Sequence, residues 1–453
     1  VRNSRSEAVR HHGGLAGWAE VEITPPLGLT MGGRGPTSTT GREILAPLLL
    51  QAIVLQDSTG ARTVWISLDN IGMCDAVTAP MRESIAAHAG TDPEQIILNF
   101  SHTHSGPLTT YERHAEKTDK PEGIASYERT VHARAVEATA RAIDRMQPVD
   151  VHWIEGQTHI GINRRLPDEN GEILMHPNPE SPYSSDLWIL DLRGASGRCL
   201  AFSCGCHPVI VYGFANDSIS PDYPGRCREI LRERLGKEVH AQFFQGLTGN
   251  VRPRAMADLD NNVFRPPTPE DVESTALQLA DDIEIALRED EGEPIRLMLA
   301  GAAGAFPLVR DEPPPLSSWE DLAQKESGSA QTVARYWIER YRSGPPLTRD
   351  LKWPVGLIRL NADHVIAWLS GEPVAEWMPI LQHALDGRRM AAWGYTNEVT
   401  GYLPTDSLLP EGGYEVDRGN HYTAHGPARF RPGIDKALLN ALDGLQFTSQ
   451  GTS

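Results

Sequence analysis

The chain has 453 residues, 42 Lys+Arg against 60 Asp+Glu, a formal charge of −18, 40% hydrophobic residues and five cysteines. That length suits one large domain or two ordinary ones, enough to bury a sizeable core around a deep pocket, and it excludes a small cross-linked scaffold. The acidic excess argues against a nucleic-acid partner, because duplex binding draws on Lys/Arg clusters, and the clusters here (Arg226-Cys227-Arg228, Arg252-Pro253-Arg254, Arg388-Arg389) are short.

Residues 1–14 are polar and lack the apolar core of a signal peptide, so 1–14 and the polar tail 448–453 are expected to be flexible termini around one unit spanning 15–447. A leader cleaved before residue 1 stays open. No apolar run approaches the ~18 residues of a membrane span; the longest candidate, Leu45 to Leu55, is broken by Gln51. Short apolar runs expected to be buried strands follow in order: Ala52–Leu55, Thr63–Leu68, Ile96–Phe100, Leu187–Leu192, Leu200–Cys204 and Ala241–Phe244. They alternate with helical patterns, the signature of an α/β layer fold. A helix is expected from about Ile124 to Met146. Another is expected over Pro269–Arg288, where Val272, Ala276, Leu279, Ala280, Ile283 and Leu287 recur at helical spacing behind Thr268 as N-cap. The Pro-rich stretches 177–182, 264–269 and 311–315 read as surface loops. Cys74, Cys199, Cys204, Cys206 and Cys227 are odd in number and lack CxxC spacing, so a disulfide framework is not expected. A reducing, cytoplasmic location follows from that reading.

Four segments carry chemistry. In Asn99-Phe100-Ser101-His102-Thr103-His104-Ser105-Gly106-Pro107, two imidazoles two residues apart after a strand project to one side and suit a metal. The alternative is a histidine hydrogen-bonded in the core. Cys204-Gly205-Cys206-His207-Pro208 offers a third imidazole at a strand end; its thiols could ligate zinc or simply pack. Ser370-Gly371-Glu372-Pro373 places a carboxylate after an apolar run, as a ligand or as a helix first-turn charge. Gly401-Tyr402-Leu403-Pro404 places a phenol similarly, as a ligand or a core aromatic.

Taken in order with Glu20-Val21-Glu22-Ile23-Thr24-Pro25-Pro26, Ile162-Asn163-Arg164, Ile219-Ser220-Pro221-Asp222-Tyr223, Gln245-Gly246, Gly249-Asn250-Val251, Asn397 and Gly412-Gly413-Tyr414-Glu415, these segments resemble the neutral ceramidase family of zinc-dependent amidases. The resemblance covers the catalytic domain. It implies an α/β fold with a mixed central sheet flanked by helices and long active-site loops. The immunoglobulin-like C-terminal domain of ceramidases is not expected in this chain. The resemblance also implies zinc on His102, His207, Glu372 and Tyr402, with His104, Arg164 and Tyr414 lining the reaction centre.

One departure matters. Where ceramidases carry Gly-Asp-Val-Ser-Pro, whose serine serves in catalysis, this chain reads Gly249-Asn250-Val251-Arg252-Pro253. Arginine stays protonated and is neither nucleophile nor base, so ceramide cleavage itself is not expected. Zinc can still activate water directly, and the fork of Arg252 suits a carboxylate or phosphate. The expectation is a zinc-dependent hydrolase acting on an amide or ester of a small anionic, carboxylated molecule, such as an N-acyl amino acid or acidic sugar derivative. His104 would carry the proton, and Arg164 and Tyr414 would donate to the oxyanion. The alternatives are a zinc-dependent lyase or glycoside-cleaving enzyme on an acidic sugar, or a non-catalytic zinc-bearing binding protein. Arg252 could instead pair with Asp222. Asp69 could orient a ligand histidine or cap its loop, and His421 and His425 could form a lid. Oligomeric state is not legible.

Overall fold

A computed structural model describes residues 13–447 apart from 34–38, 112–119, 291, 345, 346, 348, 386, 424 and 446. Alternation of period two decides the layers. In the strand Arg62–Leu68, Val64, Ile66 and Leu68 enter one buried cluster and Trp65 enters another; in Gly197–Cys204, Leu200, Phe202 and Cys204 face one way and Cys199 and Ala201 the other. Sheets buried on both faces need two partners.

The larger sheet runs in the order His240–Gln245, Gly197–Cys204, Asp186–Gly194, Gln147–Gln157, Gly14–Glu22, Leu49–Gln56, Arg62–Leu68, Ile96–Phe100, with Glu293–Ile295 beside Gln147–Gln157. It is mixed, its outermost pairs at each end being parallel and the rest antiparallel. The helices Asp75–Ala89 and Glu122–Asp144 cover one half of its outer face, and Asp222–Leu235 and Pro269–Glu289 the other. Its inner face meets a second mixed sheet, Ala300–Val309, Asp350–Arg359, His364–Leu369, Arg389–Trp393. The helices Trp377–Ala384 and Ile434–Gly444 back that second sheet. The α/β class is as expected, and helices flank the stacked pair of sheets.

Each expected strand lies inside an observed one, and the expected helices are Glu122–Asp144 and Pro269–Glu289. Thr268 and Asp271 form a reciprocal capping box at the latter's start. Two boundaries differ. The first strand begins at Gly14, inside the stretch expected to be a flexible terminus, because its start pairs with Gln147–Val149; residues 1–12 and 448–453 lie outside the described residues. Pro177 and Asn178 belong to the strand Ile173–Asn178, which pairs with Gly161–Pro167, rather than to a loop. Proline has no N–H to offer a ladder, so it sits where none is required.

The large sheet curls until its two end strands approach, and side-chain amides span the gap. Gln51 Nε2 donates to Ala241 O at 2.9 Å, Gln242 Nε2 to Gln51 O at 3.1 Å, and Asn99 Oδ1 accepts from Gln245 N at 2.7 Å. Residues 394–397 wedge in above: Gly394 N donates to Gln245 O, Phe100 N to Tyr395 O, and Asn397 N to Leu98 O. This closure satisfies edge groups that would otherwise be exposed. It also brings the loop after Phe100 next to the loops after Cys204 and Gln245. Trp393, stacked on Phe244 at 4.2 Å, anchors the wedge in the core.

Candidate metal centre

His102 follows the strand Ile96–Phe100, with its backbone held by Asn70 O. The strand pleat does not bring it to His104, as the sequence suggests. Instead the strand ends at Phe100, and His102 adopts φ 65°, a left-handed conformation that residues with a Cβ rarely take. The two rings still meet, centroids 5.0 Å apart, and both face His207 at 5.1 and 5.8 Å. Among the described residues, His102, His104 and His207 form a group able to hold a metal ion, their ligand atoms within 4.8 Å of one another.

The rings are oriented from behind. Nδ1 of His102 lies 2.6 Å from Ile71 O, that of His104 2.9 Å from Gly33 O, and that of His207 2.7 Å from Thr248 O. A carbonyl only accepts, so each Nδ1 carries the proton and each Nε2 presents a lone pair. Burial pushes His207 down to about 4 and His104 well below the ordinary histidine range, leaving both neutral at pH 7. His207 Nε2 is buried without a hydrogen bond.

Glu372 Oε2 lies 3.3 Å from His102 Nε2 and 3.7 Å from His207 Nε2. Two ligands on one tetrahedral zinc stand about 3.3–3.5 Å apart, given bonds of about 2.0–2.2 Å. The donor set therefore fits such an ion. Glu372 is in no helix: it pairs with Tyr402 in a short parallel ladder, and the helix starts at Trp377. Gly371 makes the turn at φ 73°, where a Cβ would meet the Trp353 ring and Gly401 O.

Tyr402 is buried, its hydroxyl 3.2 Å from Arg164 Nη2. Burial, then Glu372, push that hydroxyl well above the ordinary tyrosine range. Arg164 lies 5.7 Å from the ring centroids of both Tyr402 and Tyr414 and donates through Nε to Glu415 at 2.8 Å. Burial opposes its charge, but Tyr402 and Glu415 outweigh burial. Tyr414 opens a π-helical turn, Tyr414–Arg418, an element common at functional sites. The structure thus brings His102, His104, His207, Glu372, Tyr402, Arg164 and Tyr414 together.

Arg252 adjoins them. Its guanidinium lies over the Phe264 ring at 4.9 Å, and Nε is buried without a hydrogen bond. Burial, then the neighbouring Arg164, pull it down to about 10. The next largest influences on it are Tyr212, Tyr402 and Cys206. Asp222 is not its partner, since that carboxylate accepts from Ile210 N, Val211 N and Tyr223 N.

Other expected residues make contacts of their own. Asp69 accepts from Arg228 and Leu49 N and orients no histidine; backbone carbonyls do that work. His421 packs on Trp319 of the helix Leu316–Lys325, and His425 lines a cavity with Asp75 and Glu398. Cys204 and Cys206 are buried in the core, their thiols raised by burial, as packing residues are.

Sequence reasoning missed Gly33, Thr248, Tyr395 and the pairing role of Glu415. A Cβ on Gly33 would lie 2.3 Å from the His104 ring. A carbonyl acceptor leaves no trace in residue type, so Gly33 and Thr248 gave no signal; Glu415, adjacent to Tyr414 in a quoted motif, could have been found.

Stacked mixed sheets carry strand-end loops that converge on three imidazoles and a carboxylate, and the fold is similar to that of ceramidases. Similar solved structures are a neutral ceramidase from Pseudomonas aeruginosa, with TM-score 0.71 and 18% identity over 94% of this chain and 72% of that one, and a ceramidase complexed with C2, with TM-score 0.69 and 17% identity over 94% and 74%. No family model matches the chain. No curated protein matches it significantly.

Proposed function

We propose that the protein is a zinc-dependent hydrolase that cleaves an amide or ester in a small anionic molecule. One observation carries the reading: three imidazoles, two buried and that of His104 half-buried, each with Nδ1 fixed by a carbonyl, gather their ligand atoms beside a buried carboxylate. The ceramidase-like fold supports it.

His102, His207, Glu372 and Tyr402 would hold the ion. His104 is reserved for proton transfer, because Glu372 stands at ligand separation from the other two histidines. When bound, zinc would supply Lewis acidity and would lower the pKa of water toward about 7. His104, neutral and fixed by Gly33 O, takes the proton and returns it to the leaving group. Arg164 and Tyr414 stabilise the developing oxyanion, with Glu415 keeping Arg164 in place. Arg252, charged and with its Nε left without a hydrogen bond among the described residues, binds the substrate's anionic group. A carboxylated amide such as an N-acyl amino acid satisfies every group named.

No helix among the described residues is long and apolar enough to cross a membrane. The test is product analysis on zinc-loaded protein with N-acyl amino acids, neutral amides, esters and acidic glycosides. Expected is a freed acid and amine, lost on chelation and favouring carboxylated substrates. A new double bond or reducing end would transfer the site to a lyase or glycosidase, and zinc binding without turnover would make it a binding protein.

A further inference from the structure

We propose that Tyr395 is a positioning residue that sets His102 and His207 together. The inference deepens the zinc reading and rests on it. Tyr395 is fully buried, and its ring lies against that of His102 with centroids 4.4 Å apart and planes tilted by 39°. Its edge meets His207 at 6.0 Å. Its hydroxyl is 2.9 Å from Thr248 Oγ1, which is 2.9 Å from His207 Nδ1.

The backbone of Tyr395 ties down the remaining parts. Its carbonyl accepts from Phe100 N, two residues before His102, and its N–H donates to Gly371 O, next to Glu372. One residue therefore touches the chain beside two proposed ligands, the ring of one and the hydrogen-bond shell of another. It does so at φ 50°, a conformation disfavoured for any residue with a Cβ. Such conformations persist where the surroundings impose them and gather at functional sites; Asn397, at φ 63°, clips Leu98 N from the same segment.

A tyrosine that merely filled space would need neither the hydroxyl contact nor the unusual backbone. As a positioning group it fixes the His102 ring plane by contact and, through Thr248 Oγ1, reinforces the hold of Thr248 O and Val251 O on the His207 Nδ1–H. Partners behind metal-bound imidazoles change metal affinity by about 10–100-fold when removed.

The test uses zinc alone as probe, titrated into the metal-free full chain against a chromophoric chelator. Tyr395→Phe keeps the ring contact and should weaken zinc about tenfold, and Thr248→Val should match it. Thr248→Ser, which keeps the hydroxyl, should restore wild-type affinity. Melting temperatures of the metal-free variants report folding, and the visible spectrum of the cobalt-substituted forms reports ligand geometry, which a space-filling role would leave alone. Wild-type zinc affinity and cobalt spectrum in both Tyr395→Phe and Thr248→Val would overturn the positioning role while leaving the metal site standing. Absence of zinc binding by the wild type would remove both.

Discussion

Replacing Arg252 by methionine should make the protein more stable and a poorer binder of anions. The guanidinium sits with its Nε buried beside a second guanidinium, and burial and Arg164 bring it well below the ordinary arginine range, to about 10. That displacement corresponds to about 3 kcal/mol against the charged form. A base whose folded value lies below its unfolded one destabilises the fold throughout the range where both states are protonated. The cost is therefore complete below pH 10 and fades only as pH rises from there toward the ordinary arginine range. Methionine fills similar space without the charge, and it forfeits the contact with Phe264, worth about 1 kcal/mol. The net gain is about 2 kcal/mol between pH 6 and 9. Urea denaturation of metal-free wild type and R252M measures it, and calorimetric titration with an N-acyl amino acid measures the lost binding. A variant no more stable than wild type would mean that the guanidinium already has its counter-charge, and the anion-receptor argument would go with it.

Glu415→Ala removes the carboxylate shared by Arg164 and Arg165, leaving buried charge unpaired, and should cost about 3–5 kcal/mol in urea denaturation; a loss under about 1 kcal/mol would contradict the pairing. Burial, then Asp75, raise Glu398 from 4.5 to about 7. The folded state therefore holds its proton more tightly than the unfolded state, and ionisation costs stability progressively from pH 4.5 to above 7. Glu398→Gln should stabilise by about 3 kcal/mol at pH 8.5 and have little effect at pH 4.5, and equal effects at both would refute it. Gly33→Ala should displace the His104 ring and lower turnover at least tenfold with little change in zinc affinity, as kinetics and chelator competition would show; full activity would remove His104 from proton transfer.

The sheets were legible because their strands are short apolar runs buried on both faces, and the helix at Pro269 because Thr268 and Pro269 state its start. His102, His207, Glu372 and Tyr402 stand out because each follows an apolar run, where strand ends become loops. What brings those ends together was not legible. Closure of the large sheet rests on Asn99, Gln51 and Gln242 reaching across a gap, and amides read from sequence as ordinary polar residues. The tautomers rest on carbonyls of Ile71, Gly33 and Thr248, which any residue could supply. The i, i+2 argument for His102 and His104 reached the right pair by the wrong geometry, because the chain turns at φ 65° where a strand was assumed.

The most direct measurement is a crystal of the zinc-supplied protein with data collected on both sides of the zinc absorption edge. One anomalous peak bonded to Nε2 of His102 and His207 and to the Glu372 carboxylate is expected. A map with no peak there, or with the ion held elsewhere while these side chains keep their present contacts, would contradict the metal centre.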